Sequence, residues 1–151
     1  MSVYTNEYTQ VVVMTKSQVS QALTEQNAII QHGIKVPNSS NFISAVSAVT
    51  SVLSLLIFKK TIPSLASGIV AVFSSLFPDE KASAEFMANK GLSFLATVNT
   101  AINSSAQYDQ IEVQLPFLEY TYNNSADNWR FVSGYGTITR LHTPSGWINA
   151  N

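Results

Sequence analysis

Residues 41–79, "NFISAVSAVTSVLSLLIFKKTIPSLASGIVAVFSSLFPD", hold only two formal charges before Asp79, the adjacent Lys59 and Lys60. A run of this kind has to be hidden from water, in a bilayer, in the core of a helical bundle or between copies of the chain. It divides at Lys59-Lys60 and Pro63. Residues 42–58 predict one helix, about 25 Å long at roughly 1.5 Å per residue. Residues 63–77 predict a second, shorter helix, with Pro63 in its first turn. Ser40, Ser44, Ser47, Ser51 and Ser54 recur at spacings of 4, 3, 4 and 3, one polar stripe down an apolar helix. Ser64, Ser67, Gly68, Ala71 and Ser74 repeat the small-residue theme in the second helix.

Such stripes let helix backbones approach closely, and each Ser can return its hydroxyl to a carbonyl in the preceding turn. Residues 36–58 are 23 without a charge, but Pro37 and a polar loop leave about 17 for the helix, short of the ~20 that cross a bilayer. Three readings stay open: a Ser-rich core pair in a helical bundle, insertion into membranes on demand, and a helix-mediated assembly surface. Under insertion, Lys59-Lys60 is the loop tip that meets lipid headgroups first, and a charge placed at Val49 abolishes permeabilisation.

The flanking segments read as α+β. Residues 3–14, "VYTNEYTQVVVM", are of strand-favouring types. Thr15 and Gln18 form a capping box for a helix that buries Val19, Ala22, Leu23, Gln26, Ile29 and Ile30, with Gly33 as its left-handed stop. Ser39, Ser40 or Asn41 caps the next helix. Beyond Phe77 and Pro78, Asp79-Glu80 suit the start of another helix, whose inner face carries Met87, Gly91, Phe94, Leu95, Val98 and Ile102. From residue 111 the period falls to two: Ile111, Val113, Leu115 and Phe117, then a slip near Pro116 to Leu118, Tyr120 and Tyr122, which suggests a bulge or an edge strand. "WRFVSGYGTITRLH" is a long strand interrupted by Gly134 and Gly136, and "WIN" a short last one. The expectation is a single domain, 1–151. About four helices, the apolar hairpin at their centre, pack with a small antiparallel sheet from 108–151, and the N-terminal strand is a candidate to join it.

Charged residues are 11% of the chain, the net charge is −1, and there is no Cys. Weak repulsion between copies favours self-association, and eight scattered Lys and Arg give no footprint for nucleic acid. No phosphate loop, nucleophile elbow or metal-ligand spacing is present, and His32 and His142 have no carboxylate at ligand spacing, so the chain reads as non-enzymatic, with no cofactor and no metal. Tyr120, Tyr122, Trp129, Tyr135 and Trp147 suit sugar stacking, a membrane interface or packing between protomers, or else form the core of the small sheet. The opening "MSVYTNEYTQVVVM" lacks the features of a secretory signal.

Residues 63–103, through Phe77-Pro78, Asp79, Phe86-Met87 and the run from Val98 to Ile102, resemble the opening helices of the three-domain insecticidal crystal toxins of spore-forming bacilli. The resemblance implies a membrane-active, pore-forming toxin made without a signal peptide and stored as an inclusion, hence extracellular or released by lysis. In the other reading the chain is a structural protein that builds fibres, arrays or crystalline inclusions through exposed strands at 3–14 and 128–142. In both, the partner is the chain itself, with a lipid membrane added in the first.

Overall fold

The computed structural model describes residues 3–47, 61–122 and 128–150. Strand β1 (Val3–Thr15) runs without a loop into helix α1 (Lys16–Ile29). The junction is the predicted capping box: Gln18 N–H donates to Thr15 Oγ1 at 3.3 Å, and Thr15 N–H donates to Gln18 Oε1 at 2.9 Å. The expected face of α1 is buried, Leu23 partly. Gly33 is not its left-handed stop. The helix instead widens into a π segment, Ile30–Lys35, with Gly33 inside it. Close packing accounts for this glycine, since a Cβ would run into Ile69 and crowd Phe73.

Helix α2 (Ser39–Val46) starts earlier than predicted, because the Asn38 side chain accepts from Asn41 N–H at 2.9 Å. It ends with Ser47 at its C-cap, the hydroxyl returned to Ser44 O at 3.0 Å. The rest of the helix expected over 42–58, with Val49, Ser51, Ser54, Lys59 and Lys60, lies outside the described residues. Helix α3 (Ile62–Ser75) is capped by Thr61, which accepts from Ser64 N–H at 3.2 Å, and holds Pro63 in its first turn. It stops short of residue 77 because Leu76 is already extended. Helix α4 (Pro78–Ile102) has Asp79 and Glu80 in its first turn, and the Glu80 carboxylate accepts from Phe77 N–H at 2.8 Å. Its inner face is the predicted one, extended by Ala84 and Ala88, with Met87 half-buried.

Four further strands complete an antiparallel sheet: β2 (Gln110–Tyr122), β3 (Trp129–Val132), β4 (Thr137–Thr143) and β5 (Gly146–Asn149). The fold is α+β. Strand β2 is central, not an edge. Strand β1 pairs along its whole length on one side, β4 and β3 share the other side end to end, and β5 lies outside β4.

The break between β3 and β4 follows from Pro116. Its carbonyl accepts from Ser133 N–H at 2.9 Å, so its missing N–H also lies on the β3–β4 side. There the opposite chain loops out: five steps (132 to 137) face three on β2 (117 to 114). Gly136 sits in this loop, where a Cβ would overlap Gln114 O. The β1–β2 register runs on without a shift, so the predicted slip is not in β2 itself.

The burial pattern slips because helices cover opposite faces at the two ends of the sheet. Ile111, Val113, Leu115 and Phe117 point to one face, Leu118 and Tyr120 to the other, and all six are buried. The first half of α4 runs beside Leu118 and Tyr120, and its second half beside Ile138 and Leu141. Phe73 of α3 packs edge-on against Tyr120 and Trp129, at 5.7 and 5.3 Å between ring centroids.

Helix α4 changes face beside Val132. The N–H and C=O of that residue point away from β2 and would be orphans on a buried edge. Gln26 of α1 meets both: its Nε2 donates to Val132 O at 2.7 Å, and its Oε1 accepts from Val132 N–H at 3.1 Å. The same Nε2 donates to Ala88 O of α4 at 3.0 Å. Gly91 leaves room for the knot, because a Cβ there would overlap the Val132 carbonyl. Gln26→Leu, near in volume but unable to hydrogen-bond, is expected to cost about 3 kcal/mol in urea unfolding. A loss below about 1 kcal/mol would mean that the Val132 groups find other partners.

Candidate functional site

The longest unpaired backbone among the described residues is the outer edge of β1. Its polarity follows from Pro116. Because that residue hydrogen-bonds toward β3–β4, its partner Thr9 stands in a non-hydrogen-bonded pair, and the N–H and C=O of Thr9 face outward. Alternation extends this to Thr5, Glu7, Val11 and Val13. The strand has no Pro, Gly or bulge, and Glu7 is its one charge. Val11 and Val13 are 54% and 39% exposed. These features leave out the usual protections of an edge strand.

A polar cluster fixes the middle of β1 to its neighbours. The Tyr8 phenol donates to Glu119 Oε1 at 2.5 Å and accepts from Arg130 Nη1 at 2.8 Å. Arg130 Nη1 also donates to Gln10 Oε1 at 2.7 Å, and Asn128 Nδ2 donates to Glu119 Oε2 at 2.8 Å. Arg130 is buried, its guanidinium 3.9 Å from the Phe117 ring centroid. Burial, with the bond to Glu119 second, raises the Tyr8 phenol above its ordinary value, while Arg130 acts the other way. The cluster ties the middle of β1 to side chains of β2 and β3.

Beside Val11 and Val13 the sheet face is open, and β4 and β5 carry polar and aromatic groups across it. Glu112 and Arg140 pair at 2.6 Å, and hydrogen bonds from Arg140 and then Thr139 hold the Glu112 carboxyl below its usual range. The Arg140 guanidinium lies 4.7 Å from the Trp147 ring centroid, and Trp147 meets His142 edge-on at 5.0 Å. His142 Nδ1 is 2.7 Å from Asp109 Oδ1, a partner 33 residues away that local spacing could not reveal. At such exposure these pairs add little stability.

The residues expected to form the surface divide sharply. Tyr120 and Trp129 are core, 3% and 1% exposed and stacked at 4.7 Å, so they offer no ring to a sugar or a membrane. Tyr135 is exposed beside Lys90, and Trp147 is half-buried. Tyr122 ends β2, its backbone paired with Val3. Gly68 lies half-buried against Trp129 at ordinary contact distance, so packing there does not demand a glycine. Ser44 and Ser47 are exposed, and Phe77, 72% exposed, caps α4. The strand expected at 128–142 divides into β3, which pairs with β2 alone, and β4, which lies between β2 and β5, whereas the segment at 3–14 keeps a free outer edge. Among the described residues no helix is long and apolar enough to cross a membrane, and no group of His, Asp and Glu could hold a metal ion. In comparison with known proteins, the chain matches no family model, no curated sequence and no solved structure.

One buried group stands apart. Glu25 of α1 is 1% exposed, and its Oε2 has no hydrogen-bond partner among the described residues. Burial raises its carboxyl well above the ordinary value. The unfolded chain releases this proton near pH ~4.3, and the folded chain holds it to higher pH. The native state therefore binds more protons between those limits, and stability falls as pH rises through them. Glu25→Gln is expected to match the parent at about pH 4 and to exceed it by roughly 1 kcal/mol or more at about pH 8. Urea unfolding at both pH values checks this, and parallel profiles would refute it.

Proposed function

We propose that this chain is a non-enzymatic protein that self-associates, adding strand to strand at the outer edge of β1 to build an extended assembly. The observation that carries the reading is the edge itself: 13 residues in unbroken register, one charge, and alternate backbone groups facing outward. Main-chain bonds supply affinity in strand addition, and the low net charge leaves little repulsion to oppose it. Antiparallel addition also keeps Glu7 off its own copy, which parallel in-register pairing does not. Storage as an inclusion, with release by lysis, fits such a protein.

A second reading, a membrane-active and toxin-like protein, draws support from the end of the helical layer. Val36, Phe77 and Phe86 are 67%, 72% and 62% exposed there, close in sequence to Lys35, Lys81 and Lys90. Segments 34–37 and 73–85 line one groove at that end. Exposed aromatics beside lysines suit a lipid headgroup layer. Insertion of α3 would require Phe73 to leave Tyr120 and Trp129, so this reading needs a trigger. Dye release from anionic liposomes tests it.

Proline substitution tests the first reading at single-residue resolution. Thr9→Pro removes an N–H that faces outward, so the fold is expected to survive while the association constant falls at least tenfold, about 1.4 kcal/mol. Gln10→Pro removes an N–H that bonds β2 and is expected to cost about 2–3 kcal/mol of stability. Sedimentation velocity and urea unfolding read the two effects. A parent protein that stays monomeric up to millimolar concentration, or a Thr9→Pro variant that assembles like the parent, would overturn the reading.

A further inference from the structure

The outer edge of β1 is not uniform along its length. Alternation also turns the Thr15 N–H outward, but that group is already bonded to Gln18 Oε1 at 2.9 Å. A ladder built on this edge therefore ends at Val13, and its bonding residues are Thr5, Glu7, Thr9, Val11 and Val13, with Val3 beyond them at the start of the strand.

The two halves of β1 also differ in what covers them. Val3, Thr5 and Glu7 border a groove that Leu76 and the start of α4 form over Leu118 and Tyr120, with Asp79 and Glu80 on its rim. Val11 and Val13 point to the same face of the sheet and are exposed. On the opposite face the order is reversed: Val12 and Met14 are buried, whereas Tyr4 and Asn6 are exposed. Parallel addition of a second copy would set covered half against covered half and bring two sets of these carboxylates together. Antiparallel addition sets the covered half of each copy beside the open half of the other, on both faces.

Resting on the reading of β1 as a self-associating edge, we infer that two copies pair antiparallel about a two-fold axis at Thr9, each receiving Val11 and Val13 of the other beside its groove. In this register Thr9 meets its own copy, Glu7 meets Val11 and Thr5 meets Val13, so all the bonding residues are used. The two Glu7 side chains then stand four residues apart along the ladder, about 14 Å, beyond the ~10 Å over which salt screens them. An axis at Tyr8 would make them diagonal neighbours at about 7–8 Å. An axis at Gln10 would place Thr5 opposite Thr15, whose N–H is taken. A pair of this kind is self-complementary and closed at β1, so it is the unit from which any larger assembly grows.

The chain has no Cys, so single nitroxide labels can be introduced cleanly. Thr5→Cys and Val13→Cys, each labelled in the full chain, are to be measured by double electron–electron resonance. The expected result is two equal separations between copies, about 27 Å along the ladder for eight residues. Moving the axis by one residue would make the two separations differ by about 14 Å, and parallel in-register pairing would make both about 5 Å. Either result overturns the register and leaves self-association standing, whereas a parent protein that is monomeric in sedimentation velocity overturns both. Val11→Lys gives a second reading without a label. It is expected to tighten association about fivefold at low salt, through two cross-strand ion pairs with Glu7 per dimer, and Glu7→Gln in the same chain is expected to remove the gain. Within one chain residues 7 and 11 lie about 14 Å apart, so the coupling has to come from a second copy. No gain, or a gain that survives Glu7→Gln, overturns the register.

Discussion

The carboxamide of Gln26 is the tie on which the two layers depend. One side chain plays the part of a missing strand, giving a donor and an acceptor to Val132 and a further bond to Ala88 of α4. Three elements far apart in sequence meet at this point, where apolar packing alone would leave main-chain groups without partners. The same contact closes the sheet at β3, and among the described residues nothing comparable covers β1. The two sides of β2 therefore end differently: at β3 a side chain holds the outer main-chain groups of Val132, and at β1 the outer main-chain groups meet no strand among the described residues.

Pro116 sets the second constraint. By withholding one N–H it breaks the β3–β4 ladder, and the break lets one helical layer serve both faces of a five-stranded sheet. Phe117 and Leu118 can then be buried on opposite faces although they are neighbours. The aromatic group of Phe73, Tyr120 and Trp129 fills the end where α3 and α4 lie on the second face. A strand with both faces covered reads as continuous hydrophobicity, not alternation.

Local signals in the sequence carried the local structure well. The Thr15–Gln18 box, the acidic start of α4, its inner stripe and the alternation from Ile111 all stand where one-dimensional patterns place them. Contacts at long range were not legible. Nothing near Gln26 marks it as a strand substitute, since its partners lie 62 and 106 residues away. Tyr120 and Trp129 fitted a binding surface or the core of the sheet equally in sequence, because their burial depends on Phe73, and Asp109 reaches His142 only through the pairing of β2 with β4. Gly33 was misjudged for a related reason. Its small size answers to Ile69 on another helix, not to its own backbone angles.

The position of β1 in the chain bears on synthesis as well as on shape. Thr15 pairs with Gln110, a separation of 95 residues (110 − 15), and every other β1–β2 pair is farther apart still. At a translation rate of about 5–20 residues per second, the strand waits roughly 5–20 s for its partner to be made. During that interval both of its edges are free, and Val12 and Met14 are uncovered with Val11 and Val13. Nascent chains on one polysome hold such strands close together at the same stage. Closure of the sheet is thus a late step of folding, and its timing is set by the pace of the ribosome.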